Sequence, residues 1–126
     1  AINHVLNLCN FTSVPIHAMT FGRLVEAVGA VTGWDVSLHE LVQATERSNV
    51  MARVFNNREG FTPKDDTLIS RWFEEMPGGP LKGKRIDSEV FKDLVQLYYD
   101  MSGWDAQGRP TRGKLVELGL YWLLDN

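Results

Sequence analysis

Few residues in this chain are suited to chemistry, and Cys9 is first among them. It is the only cysteine in 126 residues, set in the apolar opening Ala1-Ile2-Asn3-His4-Val5-Leu6-Asn7-Leu8-Cys9-Asn10-Phe11. One thiolate closes no intrachain disulfide and holds no iron–sulfur cluster alone, since such a cluster takes about four thiolates. Redox chemistry at Cys9 therefore needs ligands from outside the chain. The plain alternative is a buried small hydrophobe, a common role for unpaired cysteine. His4 precedes it by five residues, and the two together supply too few donors for a metal site.

The remaining titratable residues point away from a self-contained active site. His4, His17 and His39 lie on separate segments and make no metal-ligand spacing with one another or with a carboxylate pair. His39 reads as a solvated residue in a first helical turn, and His17, after Pro15-Ile16, as a hydrogen-bonding loop residue. Asp65-Asp66 and Glu74-Glu75 match no calcium loop, which needs a glycine at its sharp turn. Close in sequence to Arg47, Arg53, Arg58, Lys64 and Arg71, they predict a partly buried ion-pair network that joins loop to helix and fixes geometry more than it adds stability. Neither a glycine-rich phosphate loop nor a nucleophile elbow nor a Ser-His-Asp order is present. Catalysis by this chain alone is not expected.

The length suits one domain with its own core, so residues 1–126 are expected to form a single helical domain. Apolar residues at 44% and charged residues at 23% are those of an ordinary soluble globular protein. No run approaches the roughly 20 apolar residues that span a bilayer, so no membrane partner is expected. A net charge of −3 opposes the basic face that a nucleic-acid binder carries. A lone cysteine suits a reducing, cytoplasmic compartment. The first residues also lack the basic region and small-residue cleavage pattern of a secretory signal.

The elements that must position these residues are helices. Ser37 and Glu40 make a capping box, with Val36 and Leu41 as its hydrophobic staple, and start a long helix to about Glu59. Ser48-Asn49 is where it could kink, and Gly60 stops it. Thr20 caps an earlier helix over about Phe21 to Val31, with Leu24, Val25, Val28 and Val31 on one face and Gly33 at its end. Asp87 caps a third over about Ser88 to Met101, where Phe91, Leu94, Val95 and Tyr98 recur at helical spacing. A short fourth begins at Thr111 after Pro110 and ends at Gly119. Gly33-Trp34-Asp35 and Gly103-Trp104-Asp105 are both read as helix exits, with a left-handed glycine and a tryptophan folding back on the helix it leaves. Phe61 to Arg85 is a Pro- and Gly-punctuated surface loop with a short helical stretch around Leu68 to Glu75; a loop of this length is usually functional or packed against another part of the molecule. No segment alternates with period two. The expected fold is all-α, an irregular helical bundle of about four to six helices with one long central helix and a long Pro/Gly-rich surface loop.

The string Arg53-Val54-Phe55-Asn56-Asn57-Arg58-Glu59-Gly60-Phe61-Thr62-Pro63-Lys64-Asp65-Asp66-Thr67-Leu68, preceded by Glu46-Arg47, resembles the C-terminal domain of the tungsten-containing aldehyde ferredoxin oxidoreductase family. Tyr98-Tyr99, Gly103-Trp104-Asp105, Gly108, Pro110-Thr111, Lys114-Leu115 and Leu118-Gly119-Leu120 extend the resemblance over nearly the whole chain. In that family an Asp-x-x-Gly-Leu-Cys motif precedes this region. Its cysteine completes a [4Fe-4S] cluster, and its aspartate and backbone contact a tungsten-bound pterin. The matching positions here are His4, Asn7, Leu8 and Cys9, with His4 for the aspartate and Asn7 for the glycine.

The resemblance implies that Cys9 is a cluster ligand and that His4, Asn7 and Leu8 lie beside the cofactor. It implies a parent enzyme that oxidises an aldehyde to a carboxylate at a tungsten or molybdenum bis-pterin and passes electrons through the cluster to ferredoxin. The chain is then the C-terminal fragment of a longer oxidoreductase, inactive and free of cofactor when isolated. Its partners are the upstream domains of the same parent chain, with a homodimer left open. The alternative is a helical interaction or scaffold domain that keeps the fold without the cofactor, which the departures at His4 and Asn7 favour. Fold alone does not confer function.

Overall fold

The structure, a computed structural model, describes residues 2–13 and 19–124; the reading of His17 falls outside them. Regular structure among the described residues is helical: α1 (Ile2–Val5), α2 (Phe21–Thr32), α3 (Leu38–Arg58), α4 (Ser88–Ser102) and α5 (Arg112–Glu117). Short 3₁₀ turns occur at Asn10–Ser13, Ser70–Phe73 and Tyr121–Leu123. One antiparallel bridge pairs Trp104 with Pro110, and no strand forms among the described residues. The all-α class expected from the sequence is what the chain adopts. The chain divides into two compact units, Ala1–Ala52 and Arg53–Asn126. α3 begins in the first and ends in the second.

In the first unit the helix starts follow the capping residues. The Arg23 N–H donates to the Thr20 hydroxyl at the start of α2. At the start of α3, Ser37 N–H donates to Glu40 Oε2 at 2.8 Å and Glu40 N–H to Ser37 Oγ at 3.3 Å, the reciprocal pair of a capping box. The Ser37 N–H holds the Glu40 carboxyl below the usual carboxylate range. Leu24, Leu41 and Val50 are the buried apolar residues among the described residues of this unit. Val31 is exposed, so the apolar face of α2 is narrower than its spacing implies.

The reading of Trp34 is corrected. Gly33 is left-handed, at φ 73°, yet the tryptophan does not fold back on α2 and is 69% exposed. The reason lies one residue earlier. Thr32 Oγ1 donates to the Val28 carbonyl at 2.7 Å and accepts the Trp34 N–H at 3.1 Å, so that N–H is not returned to the helix as the expected ending requires.

In the second unit α3 ends at Arg58, before Gly60, and a long segment follows. It closes on itself: Met76 N–H donates to the Lys84 carbonyl, Gly83 N–H to the Met76 carbonyl and Ile86 N–H to the Trp72 carbonyl. The helical stretch expected from Leu68 to Glu75 is reduced to the turn Ser70–Phe73. Phe73 meets Phe91 of α4 edge to face, with ring centroids 5.7 Å apart. Asp87 starts α4 by accepting the Glu89 and Val90 N–H groups, which hold its carboxyl low. Thr111 starts α5 by accepting the Lys114 N–H. Tyr99, Leu115, Leu118, Leu120 and Leu123 form the apolar core of this unit, with Leu118 and Leu120 fully buried. No helix among the described residues is long and apolar enough to cross a membrane.

Candidate functional site

α1 ends in a turn that organises all four residues singled out near the N-terminus. Asn7 N–H donates to the His4 carbonyl at 3.1 Å and Leu8 N–H to the Asn3 carbonyl at 2.7 Å, the paired bonds of a Schellman ending. Asn7 adopts φ 55°, the one positive value outside glycine among the described residues. Asparagine enters this region at lower strain than other side-chain-bearing residues because its short amide bonds locally. The turn that a glycine would make is therefore preserved. Leu8 is half-buried, and Cys9 follows with an exposed thiol outside any disulfide. Exposure sets aside the reading of Cys9 as a buried hydrophobe.

His4 is held within the same segment, its Nε2 lying 2.9 Å from Asn10 Nδ2. An imidazole offers at most one acceptor nitrogen, where a carboxylate offers two oxygens. This bears on what the turn can hold. One exposed cysteine on a defined turn fits a single cluster ligand. No group of three or more His, Cys, Asp or Glu side chains able to hold a metal occurs among the described residues, so the other ligands of any cluster lie outside them. His4 does not fit the acceptor role of a pterin-binding carboxylate.

The second unit contains a separate polar site that sequence reading found only in part. Arg53 sits in the apolar phase of α3, three residues after the buried Val50, and is only 7% exposed. Its guanidinium binds Asp66 in a two-pronged pair, Nη1 to Oδ1 at 2.9 Å and Nη2 to Oδ2 at 2.6 Å. Its Nε donates to the Gly108 carbonyl at 2.6 Å. The Tyr99 hydroxyl donates to Asp66 Oδ2 in a short hydrogen bond. The Arg53 guanidinium carbon also lies 4.9 Å from the Trp104 ring centroid and 5.4 Å from that of Tyr99, within cation–π range.

The segment after α4 is shaped to deliver its part of this site. Gly103 N–H returns to Asp100 and Trp104 N–H to Tyr99, so this exit is the full Schellman ending expected from sequence. Trp104 packs on the helix it leaves, with centroids 5.6 Å from Tyr98 and 5.8 Å from Tyr99. Asp105 Oδ1 accepts the Gln107 and Arg109 N–H groups at 2.8 and 2.9 Å, and the turn so closed aims the Gly108 carbonyl at Arg53. Gly108 has φ +66°, and a Cβ there would overlap the Arg53 guanidinium and stand 2.9 Å from Tyr99 Cζ.

The electrostatics follow from this geometry. Hydrogen bonds from Arg53 hold the Asp66 carboxyl below the usual carboxylate range, and the same pair raises the guanidinium. Burial, then the Asp66 carboxylate, pushes the Tyr99 phenol up. Every prong of the Arg53 fork toward Asp66 and Gly108 is in use, so the cluster clamps the end of α3, the loop at Asp66, α4 and the turn at Gly108 together. Within the ion-pair network expected around Asp65-Asp66, the Arg53–Asp66 pair forms. Asp65 instead closes its own turn by accepting the Thr62 N–H and hydroxyl, and Arg58 donates to the Leu123 carbonyl. Sequence reading missed Tyr99 and Gly108 as partners. The available signal was an arginine three residues from a buried valine on one helical face. Beside the clamp lies an open cleft of about 560 Å³ whose walls include Asp66, Phe91, Leu94, Val95, Tyr98 and Trp104.

Comparison with known proteins bears on the whole chain. The family described as "Aldehyde ferredoxin oxidoreductase, domains 2 & 3" matches residues 1–120. The tungsten-containing aldehyde ferredoxin oxidoreductase of Pyrococcus horikoshii is 36% identical over 122 residues, covering 95% of this chain and 19% of that protein. That of Pyrococcus furiosus is 36% identical over 115 residues, covering 90% of this chain and 18% of that protein. The chain thus spans about a fifth of the length of the curated relatives it matches. Among solved structures, the active site complex BamBC of benzoyl coenzyme A reductase in complex with 1,5 dienoyl-CoA matches with a TM-score of 0.68 at 25% identity, over 86% of this chain and 15% of that one.

Proposed function

The chain belongs to the aldehyde ferredoxin oxidoreductase family, and from that membership we propose that it is the C-terminal part of a tungsten-pterin, iron–sulfur enzyme that oxidises an aldehyde to a carboxylate and passes the electrons through a [4Fe-4S] cluster to ferredoxin. Cys9 is one of the four cluster ligands in this reading, and the other three come from the parent chain. The observation that carries the assignment is the turn at Asn7, which keeps a left-handed backbone two residues before an exposed cysteine. When bound, metal and pterin supply the two-electron oxidation and the cluster the onward relay.

The chain's own residues have narrower tasks. Asn7 sets the direction in which Leu8 and Cys9 leave α1. Cys9 ligates through its thiolate, and the hydrogen bonds and burial around its sulfur in the parent tune the cluster potential. His4 lies beside the cofactor in this reading and is not the double acceptor that an aspartate would be. The scaffold reading rests on the departures at His4 and Asn7.

The test is elemental analysis of the full-length parent purified without oxygen. Tungsten together with about four irons per chain supports the redox reading. A folded parent holding neither metal overturns it and leaves a scaffold domain.

A further inference from the structure

α4 carries more apolar surface than its own unit uses. On one arc Phe91 meets Phe73, Val95 is half-buried and Tyr99 is buried beside Arg53. On another arc lie Glu89, Lys92, Asp93, Gln96 and Asp100. Between them Val90, Leu94, Leu97, Tyr98 and Met101 stand 52% to 80% exposed. At 3.6 residues per turn these five positions span about 100° of the helix, the full width of the apolar stripe that an ordinary surface helix buries. α4 thus has two such stripes side by side, one covered and one bare. Leu94 and Tyr98 also border the cleft of about 560 Å³ beside the Arg53 clamp, a recess into which an anchoring side chain can enter. A contiguous apolar patch with a recess at its edge is the signature of an interaction surface.

The size of the patch argues for its occupant. Five side chains fall well short of the roughly 20–30 residues per side that a stable interface between separate proteins recruits. A covering segment on the same polypeptide does not lose free translation on docking, so a small face is enough to seat it. The chain also covers only 19% of its Pyrococcus horikoshii relative, so the polypeptide available for such a role is large. We propose that the Val90–Met101 face of α4 seats an apolar face of another domain of the same parent chain, outside residues 1–126. This rests on reading the chain as part of a longer enzyme, and it adds which surface makes the joint.

Met101, 80% exposed here, is a built-in reporter that requires no substitution. Thioether oxidation follows exposure, so peroxide oxidation of the native full-length parent, read by mass spectrometry, should convert Met101 at least about tenfold more slowly than in the urea-unfolded parent. A photo-activated cross-linking residue at Leu97 in the same parent should join to peptides of the same chain outside residues 1–126. Met101 oxidised as fast in the folded as in the unfolded parent overturns the proposal. So do cross-links to a second copy, to another protein or to residues 1–52. The outcome is separable from the functional reading: a parent with its metals but an unprotected Met101 overturns the joint alone. A protected Met101 in a parent without tungsten or iron overturns the redox assignment alone.

Discussion

Asp66→Asn is the perturbation that most directly probes the clamp of the second unit. The exchange keeps volume and an oxygen for the Tyr99 hydroxyl but removes the charge opposite a guanidinium that is 7% exposed. Removing one partner of a buried ion pair costs about 3–5 kcal/mol, because the other charge stays buried and uncompensated. The Asp66 side chain is 30% exposed, so water reaches this pair and the lower figure of about 3 kcal/mol applies. With a guanidinium chloride slope of about 3 kcal/mol per molar for a chain of this size, the unfolding midpoint should fall by about 1 M. Trp104 lies against Arg53, so tryptophan fluorescence during denaturant titration of the 126-residue chain includes a reporter at the clamp alongside the other three tryptophans. A midpoint within about 0.2 M of that of the unsubstituted chain at unchanged slope would mean that Arg53 does not depend on Asp66 for charge compensation.

Other expectations follow from the same geometry. Gly108→Ala combines a left-handed backbone with a Cβ overlapping Arg53 and should destabilise by more than about 2 kcal/mol, whereas Gly113→Ala in α5, whose Cβ meets only Thr111 Oγ1 at 3.9 Å, should be neutral or stabilising by up to about 1 kcal/mol; paired denaturation curves decide. Ser37→Ala should lower stability by about 1 kcal/mol through loss of the α3 cap, and an unchanged midpoint would remove that role. For pH dependence, the folded-state pKa of Asp66 is lowered, so its contribution is present above the unfolded value of about 3.9 and is lost as pH falls through the lower folded value. Tyr99 is raised, so its contribution holds below an unfolded value of about 10 and is lost as pH rises through the higher folded one. Asp66→Asn should flatten the acid limb of a stability–pH profile, and Tyr99→Phe the alkaline limb.

Local rules made most helix ends readable from sequence. Thr20, Ser37 with Glu40, Asp87 and Thr111 each satisfy backbone donors within a few residues of themselves, and such caps need no knowledge of the rest of the fold. Gly103-Trp104 was readable for the same reason. Trp34 was not, because a threonine hydroxyl two residues back competes for the backbone N–H on which the motif depends. The Arg53 clamp draws on residues 13, 46 and 55 positions away, and adjacency of that kind is set by packing, not by spacing. The bare arc of α4 was hidden differently. Periodicity marks Leu94 and Tyr98 as apolar-phase residues but does not say which polypeptide covers them. At the N-terminal turn, Asn7 stands where the resembled motif has glycine, and it holds a left-handed backbone at φ 55°. The hydrogen bond between Asn10 and His4 had no sequence signal.

The central claim is that Cys9 ligates a cluster, and the direct measurement is electron paramagnetic resonance with iron quantitation on the full-length parent and its Cys9→Ser variant, both purified without oxygen. With Cys9 as a ligand, the variant should lose the reduced four-iron signal or shift it measurably, with iron falling below about four per chain. A folded variant with unchanged iron, an unchanged spectrum and undiminished electron transfer to ferredoxin would contradict it.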